Sequence, residues 1–284
     1  MPAILNNIGR LSIQVPGISG VAAGGIALVN IPVNARYHRM LFQCTSAGVA
    51  TDPATFFSSV KVLVNGNNMR DVSASTIISI AKTAGLSPAT GELPIWFTAP
   101  YRNMLVPNDS NSWDMAGQST FTIQFGISAG IVSPGLTGVM EYDYIRNMRT
   151  VSNAQAPFLQ PVAQHQFQFS GVAGRNDIIQ LPIDFPISRL WVSSAAGNNI
   201  SQIEVYQDGN KIVEGTPAQQ SQLYADYGYL LGGANPFETA AIFDIDGRWW
   251  KALNVANSLN LRVTLNAADT INVVQETLPG AYQS

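Results

Sequence analysis

The sequence contains the same hairpin signal twice, at two widely separated places. Residues 60–72 read VKVLVNGNNMRDV, and residues 203–215 read IEVYQDGNKIVEG. In both segments, alternating apolar residues predict a strand with one buried face. Asn-Gly or Asp-Gly follows, and these pairs favour a two-residue type I′ turn, because both central positions of that turn need a positive φ. The segments therefore predict two equivalent β-hairpins.

The similarity between the two parts of the chain continues in the same order on both sides of the hairpins. The further matches are SGVAAG at 19–24 with SGVAG at 170–174, IPVNARYHRML at 31–41 with LPIDFPISRLW at 181–191, FTAPYRN at 97–103 with FDIDGRW at 243–249, and STFTIQF at 119–125 with LNLRVTL at 259–265. The offset drifts from 151 to 140 residues, as insertions in surface loops would produce. We therefore expect one fold to occur twice, over 19–145 and 170–276.

Each copy is predicted to contain seven or eight strands and one short helix after the hairpin. The strands are predicted near 11–15, 25–33, 37–46, 59–65, 94–99, 119–127 and 137–145, and again near 165–170, 177–183, 188–194, 201–207, 239–245, 258–265 and 270–276. Ser73 or Ser75 and Gly85 bound the first helix, whereas Thr216 with Pro217 and Gly228 bound the second.

The predicted fold class is all-β: two tandem eight-stranded jelly rolls (a double jelly roll), each with one short excursion helix. We assign the first jelly roll to residues 1–150 and the second to residues 151–284, with a linker at roughly 146–164.

The charge content limits the classes of partner. Only 12% of the 284 residues are charged, about half the usual share, and the net charge is −3. Such a surface repels other copies weakly, so we expect neighbouring subunits to cover much of it. The absence of Lys/Arg runs and of a basic arm argues against direct nucleic-acid binding.

Two long uncharged stretches resemble membrane spans in hydropathy alone. Leu11–Ala35 and Met115–Met140 are interrupted by Gly, Pro and polar residues, so we interpret them as strands and turns. The first twelve residues also lack the pattern of a signal peptide.

The chain contains no recognisable catalytic or metal-binding motif. His38 and His165 lack metal-ligand spacing and Cys44 is the single cysteine, so we expect all three to be structural. DIDG at 244–247 resembles part of a calcium loop, but the other ligand positions are missing, which favours a turn. No catalytic residue, cofactor or metal is expected, although Ca²⁺ at a subunit seam stays open as an alternative.

Aromatic and arginine residues are the predicted subunit contacts, because these residue types dominate the energetics of protein interfaces. The candidates are Tyr101, Arg102, Trp113, Arg248, Trp249 and Trp250. Ile4, Leu5 and Ile8, followed by Leu11, have a helix-like spacing. They predict either an end helix packed on its own subunit or an arm that contacts a neighbour or a lipid surface.

The paired segments IPVNARYHRML / LPIDFPISRLW and VKVLVNGNNMRDV / IEVYQDGNKIVEG make the chain similar to the double jelly-roll major capsid proteins of tailless icosahedral viruses with an internal membrane, and above all to corticovirus-type phage coat proteins. The resemblance implies two upright barrels side by side in each subunit. It also implies pseudo-hexagonal homotrimers that tile an icosahedral shell, minor capsid and penton proteins as partners, and a membrane beneath the shell. The protein would be made in the host cytoplasm and reside in the virion, with no enzymatic activity.

Two other function classes remain open at this point. A carbohydrate-binding or adhesive β-sandwich, such as a phage spike or lectin, would stack exposed aromatic rings on sugars. A glycan-active β-sandwich enzyme would need two carboxylates facing each other across a cleft, a geometry that a sequence does not reveal.

Overall fold

A computed structural model describes residues 10–98, 112–115, 117–143, 162–232, 237–243, 252–255 and 257–279. The chain forms two compact units: the first comprises Met1–Ile78 and Pro88–Pro161, and the second comprises Ser79–Ser87 and Val162–Ser284. Residues 79–87 thus belong to the second compact unit.

The first unit is built from two antiparallel sheets. Its described elements are β1 (Leu11–Gln14), β2 (Ile26–Ile31), β3 (Arg36–Ser46), β4 (Val49–Ala50), α1 (Pro53–Phe56), β5 (Phe57–Val64), β6 (Asn67–Val72), α2 (Ala74–Thr83), β7 (Glu92–Trp96), β8 (Trp113–Asp114), β9 (Phe121–Ile127) and β10 (Pro134–Asp143). One sheet has the order β1-β10-β3-β7, with β4 and β8 also paired to β3, and the other has the order β2-β9-β5-β6.

The second unit has the same construction. Its described elements are β11 (Ala163–Gly171), β12 (Gly174–Ile178), β13 (Ile187–Ser194), β14 (Ile200–Gln207), β15 (Asn210–Gly215), α3 (Pro217–Ala225), β16 (Thr239–Ile242), β17 (Leu259–Leu265) and β18 (Asp269–Thr277). Its sheets have the orders β11-β18-β13-β16 and β12-β17-β14-β15.

The strand orders confirm the predicted duplication. When the eight long strands are numbered within each unit, both units have the order 1-8-3-6 in one sheet and 2-7-4-5 in the other. This arrangement of two Greek keys is that of a jelly roll. In both units, the helix α2 or α3 also lies between the fifth and sixth of these strands, as the sequence predicted.

Both hairpin turns have the backbone conformation that their sequences predict. The φ angles are 52° at Asn65 and 78° at Gly66, and they are 49° at Asp208 and 83° at Gly209. All four angles are positive, as a type I′ turn requires.

The first residue of each turn also fastens the hairpin to a neighbouring strand. Asn65 Oδ1 accepts hydrogen bonds from the two backbone amides that precede β9, at 2.7 and 3.2 Å. Asp208 Oδ1 accepts from the two amides that precede β17, both at 2.8 Å. The duplication therefore extends to individual side-chain contacts, which the hairpin pattern alone did not predict.

The predicted helix boundaries agree with the local contacts. Ser73 Oγ accepts a hydrogen bond from the Thr76 backbone amide at 3.2 Å, so Ser73 caps α2, and Gly85 follows its end with a φ of 75°. Thr216 forms a capping box at the start of α3, and Pro217 occupies the first turn, where a missing N–H costs nothing.

The two cores are built from different side chains. In the first unit, Phe125 packs against Phe42 and Phe57, with ring centroids 4.7 and 5.0 Å apart. The second core is mainly aliphatic, with Leu190, Val192, Ile203, Val263 and Val273 among its buried members. In the part of the chain that the structure describes, no helix is long and apolar enough to cross a membrane.

Candidate assembly interface

Most of the predicted contact residues lie outside the described residues: Ile4, Leu5, Ile8, Tyr101, Arg102, Arg248, Trp249 and Trp250. Trp113 is described and has no exposed area. Its ring lies 4.9 Å from the Phe97 ring, and the Arg70 guanidinium lies over it at 4.9 Å. Trp113 therefore packs the core of its own unit and does not present its ring to a neighbour.

The helix-like spacing predicted for the first residues does not extend to Leu11. It is the first residue of β1 and is paired with Tyr142 of β10. Leu11 is therefore part of a strand, and the apolar spacing does not continue through it as a helix.

The buried His38 belongs to an ionic cluster whose other members, Arg36 and Asp143, are partly exposed. Its Nε2 lies 2.9 Å from Asp143 Oδ2, and Arg36 Nε donates to Asp143 Oδ1 at 2.9 Å. Burial raises the pKa of Asp143, but the hydrogen bonds and charges of His38 and Arg36 outweigh that effect and lower this pKa from 3.8 to about 2. The cluster joins β3 to the end of β10.

Cys44 is a buried thiol. Its Sγ donates to the Thr51 carbonyl at 3.1 Å. Burial, together with the charge of Asp52, raises the pKa of Cys44 to about 11, so the group stays protonated at neutral pH. His165 lies half-buried in β11. DIDG at 244–247 lies outside the described residues, and the described ones contain no group of three or more His, Cys, Asp or Glu side chains able to hold a metal.

A cross-strand ion pair occurs at equivalent places in the two units. Arg39 of β3 lies opposite Glu141 of β10, and Arg189 of β13 lies opposite Glu276 of β18. Arg39 and Arg189 are the arginines that align in the repeated sequence segments. Both pairs form ionic hydrogen bonds, and the Arg189 Nη1 to Glu276 Oε2 distance is 2.7 Å.

The exposure of these two pairs differs sharply. The Arg39 and Glu141 side chains are 31% and 23% exposed, whereas those of Arg189 and Glu276 are 4% and 2% exposed. Gln164 Nε2 adds a hydrogen bond to Glu276 Oε1 at 2.9 Å. The same pair is thus partly solvated in one unit and buried in the other.

The pairs lie on the outer faces of equivalent sheets. In the first unit, the outer face of the β1-β10-β3-β7 sheet includes the partly exposed Leu41 and Trp96 and the exposed Val139. Val139 is paired with Leu41, and Trp96 with Arg39. We call this surface the first outer face.

In the second unit, the equivalent face is covered. Trp191 is buried there, and the rings of Tyr229 and Phe237 lie 6.0 and 5.6 Å from its ring. Tyr224 Oη of α3 accepts a hydrogen bond from the Ile242 backbone amide of β16 at 3.0 Å. Helix α3 and the residues after it therefore cover this sheet.

The segment that covers the second unit also exposes apolar side chains. Leu223, Tyr227 and Leu230 are 52%, 50% and 55% exposed, whereas Gln220 and Tyr224 face inward. None of these three residues was predicted from the sequence as a contact. The available signal was the four-residue spacing of Leu223, in the last turn of α3, and Tyr227, just past its end, on a different side from the inward-facing Tyr224.

The comparisons with known proteins agree with this architecture. The family described as "Viral coat protein P2 N-terminal domain" matches residues 12–143, and "Viral coat protein P2 C-terminal domain" matches residues 161–280. None of the curated protein sequences matches the chain significantly.

Among solved structures, the major capsid protein P2 of bacteriophage PM2 is similar with a TM-score of 0.77 and 17% identity, over 94% of this chain and 96% of that one. A chain of Sulfolobus turreted icosahedral virus gives a TM-score of 0.68 at 14% identity, over 96% of this chain and 92% of that one. A chain of the PBCV-1 virus capsid gives 0.58 at 10% identity, over 97% of both chains.

These structures share the double jelly roll, and the carbohydrate-binding alternative has no support among them. Because the two coat-protein domains match most of the chain in sequence order, the chain belongs to the viral coat protein P2 family and is a capsid protein of the virion.

Proposed function

We propose that this coat protein forms homotrimers of pseudo-hexagonal outline, which tile an icosahedral shell as its major subunit. The occurrence of the same eight-strand order twice in one chain is the observation on which the proposal rests. Three copies contribute six barrels of equivalent topology, so a threefold assembly can present six similar corners. Units of hexagonal outline fill a facet without gaps.

The low charge of the chain supports stable self-association. With 12% charged residues, the surface provides little of the repulsion that keeps copies apart. Closed cyclic symmetry is the usual way in which identical subunits bury such a surface. Contacts within the trimer are expected to exceed ~2,000 Å² in total, and those between trimers to be smaller and more polar.

The charge also bears on what lies beneath the shell. A net charge of −3 and a pI of about 5.3 do not favour direct packaging of nucleic acid, which needs many phosphate-neutralising cations. The proposal therefore places a membrane between shell and genome. A shell of hexagonal units closes only with pentagonal vertices, so minor capsid or penton proteins are the proposed partners there.

The remaining sequence-based contacts are part of this proposal. Tyr101, Arg102 and the segment 248–250 are proposed to contact neighbouring subunits, and Ile4, Leu5 and Ile8 a neighbour or the membrane. The proposed role is structural, without catalysis or a cofactor.

Light scattering on the purified full chain tests the proposal. A stable species of about three times the chain mass of 30.5 kDa is expected over a wide concentration range. A monomer that persists at high concentration, without shell-like particles under any assembly condition, would contradict it. Glycan binding by such a monomer would favour the adhesive alternative.

A further inference from the structure

We infer that Asn65 is a latent site of deamidation, the conversion of an asparagine side chain to a carboxylate with release of ammonia. The folded hairpin holds this site in an unreactive conformation, and opening of the turn releases it. The inference concerns a covalent modification of the single chain, so it goes beyond the proposed capsid role and does not depend on the trimer.

The sequence singles out one asparagine for this reaction. Asn65-Gly66 is the only Asn-Gly pair in the chain, and both residues are exposed to water. In deamidation, the backbone nitrogen of the next residue attacks Cγ of the asparagine. Glycine hinders that attack least, because it has no Cβ and the greatest backbone freedom. The neighbouring Asn67 and Asn68 are followed by larger residues.

The reaction needs only water as a second reactant. The Gly66 nitrogen forms a bond to Asn65 Cγ and gives up its proton, while the Cγ–Nδ2 bond breaks and Nδ2 leaves as ammonia. Water then opens the resulting five-membered succinimide ring. Opening at Cγ gives aspartate with the original backbone, whereas opening at the main-chain carbonyl gives isoaspartate, whose backbone is one carbon longer.

The type I′ turn keeps the reacting atoms apart. The φ angles are 52° at Asn65 and 78° at Gly66, and two successive positive values distinguish type I′ from type II′. In the left-handed region ψ is about +30 to +60°, which places Cβ and the next nitrogen on opposite sides of the Cα–C bond. Ring closure needs them on the same side. The turn must therefore open about this bond before the Gly66 nitrogen can attack.

Hydrogen bonds also hold the side chain of Asn65 in place. Its Oδ1 accepts from the Ser119 and Thr120 amides at 2.7 and 3.2 Å, and its Nδ2 donates to Gln118 Oε1 at 2.7 Å. The Asn65 backbone amide donates to the Thr120 carbonyl at 3.0 Å. Movement of Cγ toward the Gly66 nitrogen would break the side-chain contacts, so the native hairpin protects the site.

The second repeat shows how the product fits the same turn. Asp208 has a φ of 49°, and its Oδ1 accepts from the Asn257 and Ser258 amides, both at 2.8 Å. Aspartate at position 65 is therefore expected to keep the turn and both amide contacts, with the Gln118 amide turned over to donate to the new oxygen. Isoaspartate is expected to lose them, because its longer backbone does not fit a two-residue turn.

The first test compares deamidation of the full-length chain in its native state and in unfolding guanidinium chloride, at the same mildly alkaline pH. Trypsin releases Val62–Arg70, in which a mass gain of about 1 Da marks each deamidation and fragment ions locate it. Asn65 is expected to react at least ~10-fold faster in guanidinium, because the native reaction is limited to the time in which the turn is open. Asn67 and Asn68 are internal controls that should stay unmodified over the same period.

Two variants test the contacts and the product. Gln118→Ala removes one hydrogen bond and should raise the native rate at Asn65 roughly two- to tenfold. The rate in guanidinium should not change, because position 118 is far from Asn65 along the unfolded chain. Asn65→Asp should show no mass gain at this position and should unfold at the denaturant concentration of the parent, whereas Asn65→Ala should unfold at a lower one.

Each outcome bears on one step of the inference. Equal rates at Asn65 in the native and unfolded states would overturn the protection, and no reaction at Asn65 in the unfolded chain would overturn the site itself. An Asn65→Asp variant as unstable as Asn65→Ala would overturn the tolerance of the product. The number of subunits in the assembly is measured separately by light scattering, so failure of this inference leaves the proposed homotrimer standing, and the reverse also holds.

Discussion

The buried pair Arg189–Glu276 gives the sharpest prediction about stability. Glu276→Gln removes the negative charge and leaves the guanidinium of Arg189 in a site where its side chain is only 4% exposed. Breaking a buried ion pair on one side costs about 3–5 kcal/mol, because the remaining charge stays desolvated and loses its carboxylate. We therefore expect the free energy of unfolding to fall by about that amount.

Glu141→Gln is the matched control, because Glu141 occupies the equivalent register position opposite Arg39. Its side chain is 23% exposed and that of Arg39 is 31% exposed, so water can solvate the remaining charge. A partly exposed pair contributes at most about 1 kcal/mol. Urea unfolding of the parent and both variants measures the difference, at the lowest usable protein concentration, where subunit association contributes least.

A double variant separates charge burial from general damage to the fold. Arg189→Met combined with Glu276→Leu removes both charges and is expected to recover most of the stability that Glu276→Gln loses. Equal losses for Glu276→Gln and Glu141→Gln would refute the reasoning. A double variant as unstable as the single one would refute it as well.

Three further predictions follow from the described contacts. Asp143→Asn should lower the free energy of unfolding by roughly 2 kcal/mol at neutral pH. In the parent, the stability that the Asp143 carboxylate contributes is complete above its ordinary pKa of 3.8 and is lost as the pH falls toward about 2. The acid unfolding curves of parent and variant should therefore converge near pH 2. Cys44, with its pKa raised to about 11, should react with a maleimide only after urea unfolding, and fast labelling of the native protein would contradict its burial. Asn65→Ala and Asp208→Ala should each lower the free energy of unfolding by ~1–3 kcal/mol in chemical denaturation, since each leaves two backbone amides without their acceptor; no change in either would remove the proposed role of these turns.

The fold was predictable because its local signals are strong and occur twice. Asn65-Gly66 and Asp208-Gly209 require positive φ values, which few other residue pairs tolerate, and the structure has them. The helix signals at Ser73, Thr216 and Gly85 also correspond to observed caps and ends. The ordered repetition of such signals then fixed the topology twice.

The assembly surface was less predictable, because exposure depends on contacts between distant segments. Trp113 was chosen for its residue type, yet its ring packs on Phe97 within the first core. Leu223 was missed because an apolar residue on a short helix is usually buried against its own unit. Arg39 and Arg189 align in the sequence, but no sequence pattern shows that only one of them is covered.

Averaged electron cryo-microscopy images of the purified assembly test the central claim most directly. The account predicts a threefold particle whose outline is nearly hexagonal, with six barrel densities contributed by three chains. The two kinds of barrel should alternate around the ring. Particles with two or four chains, or three-chain particles without six similar barrels, would contradict the proposed use of the duplicated jelly roll.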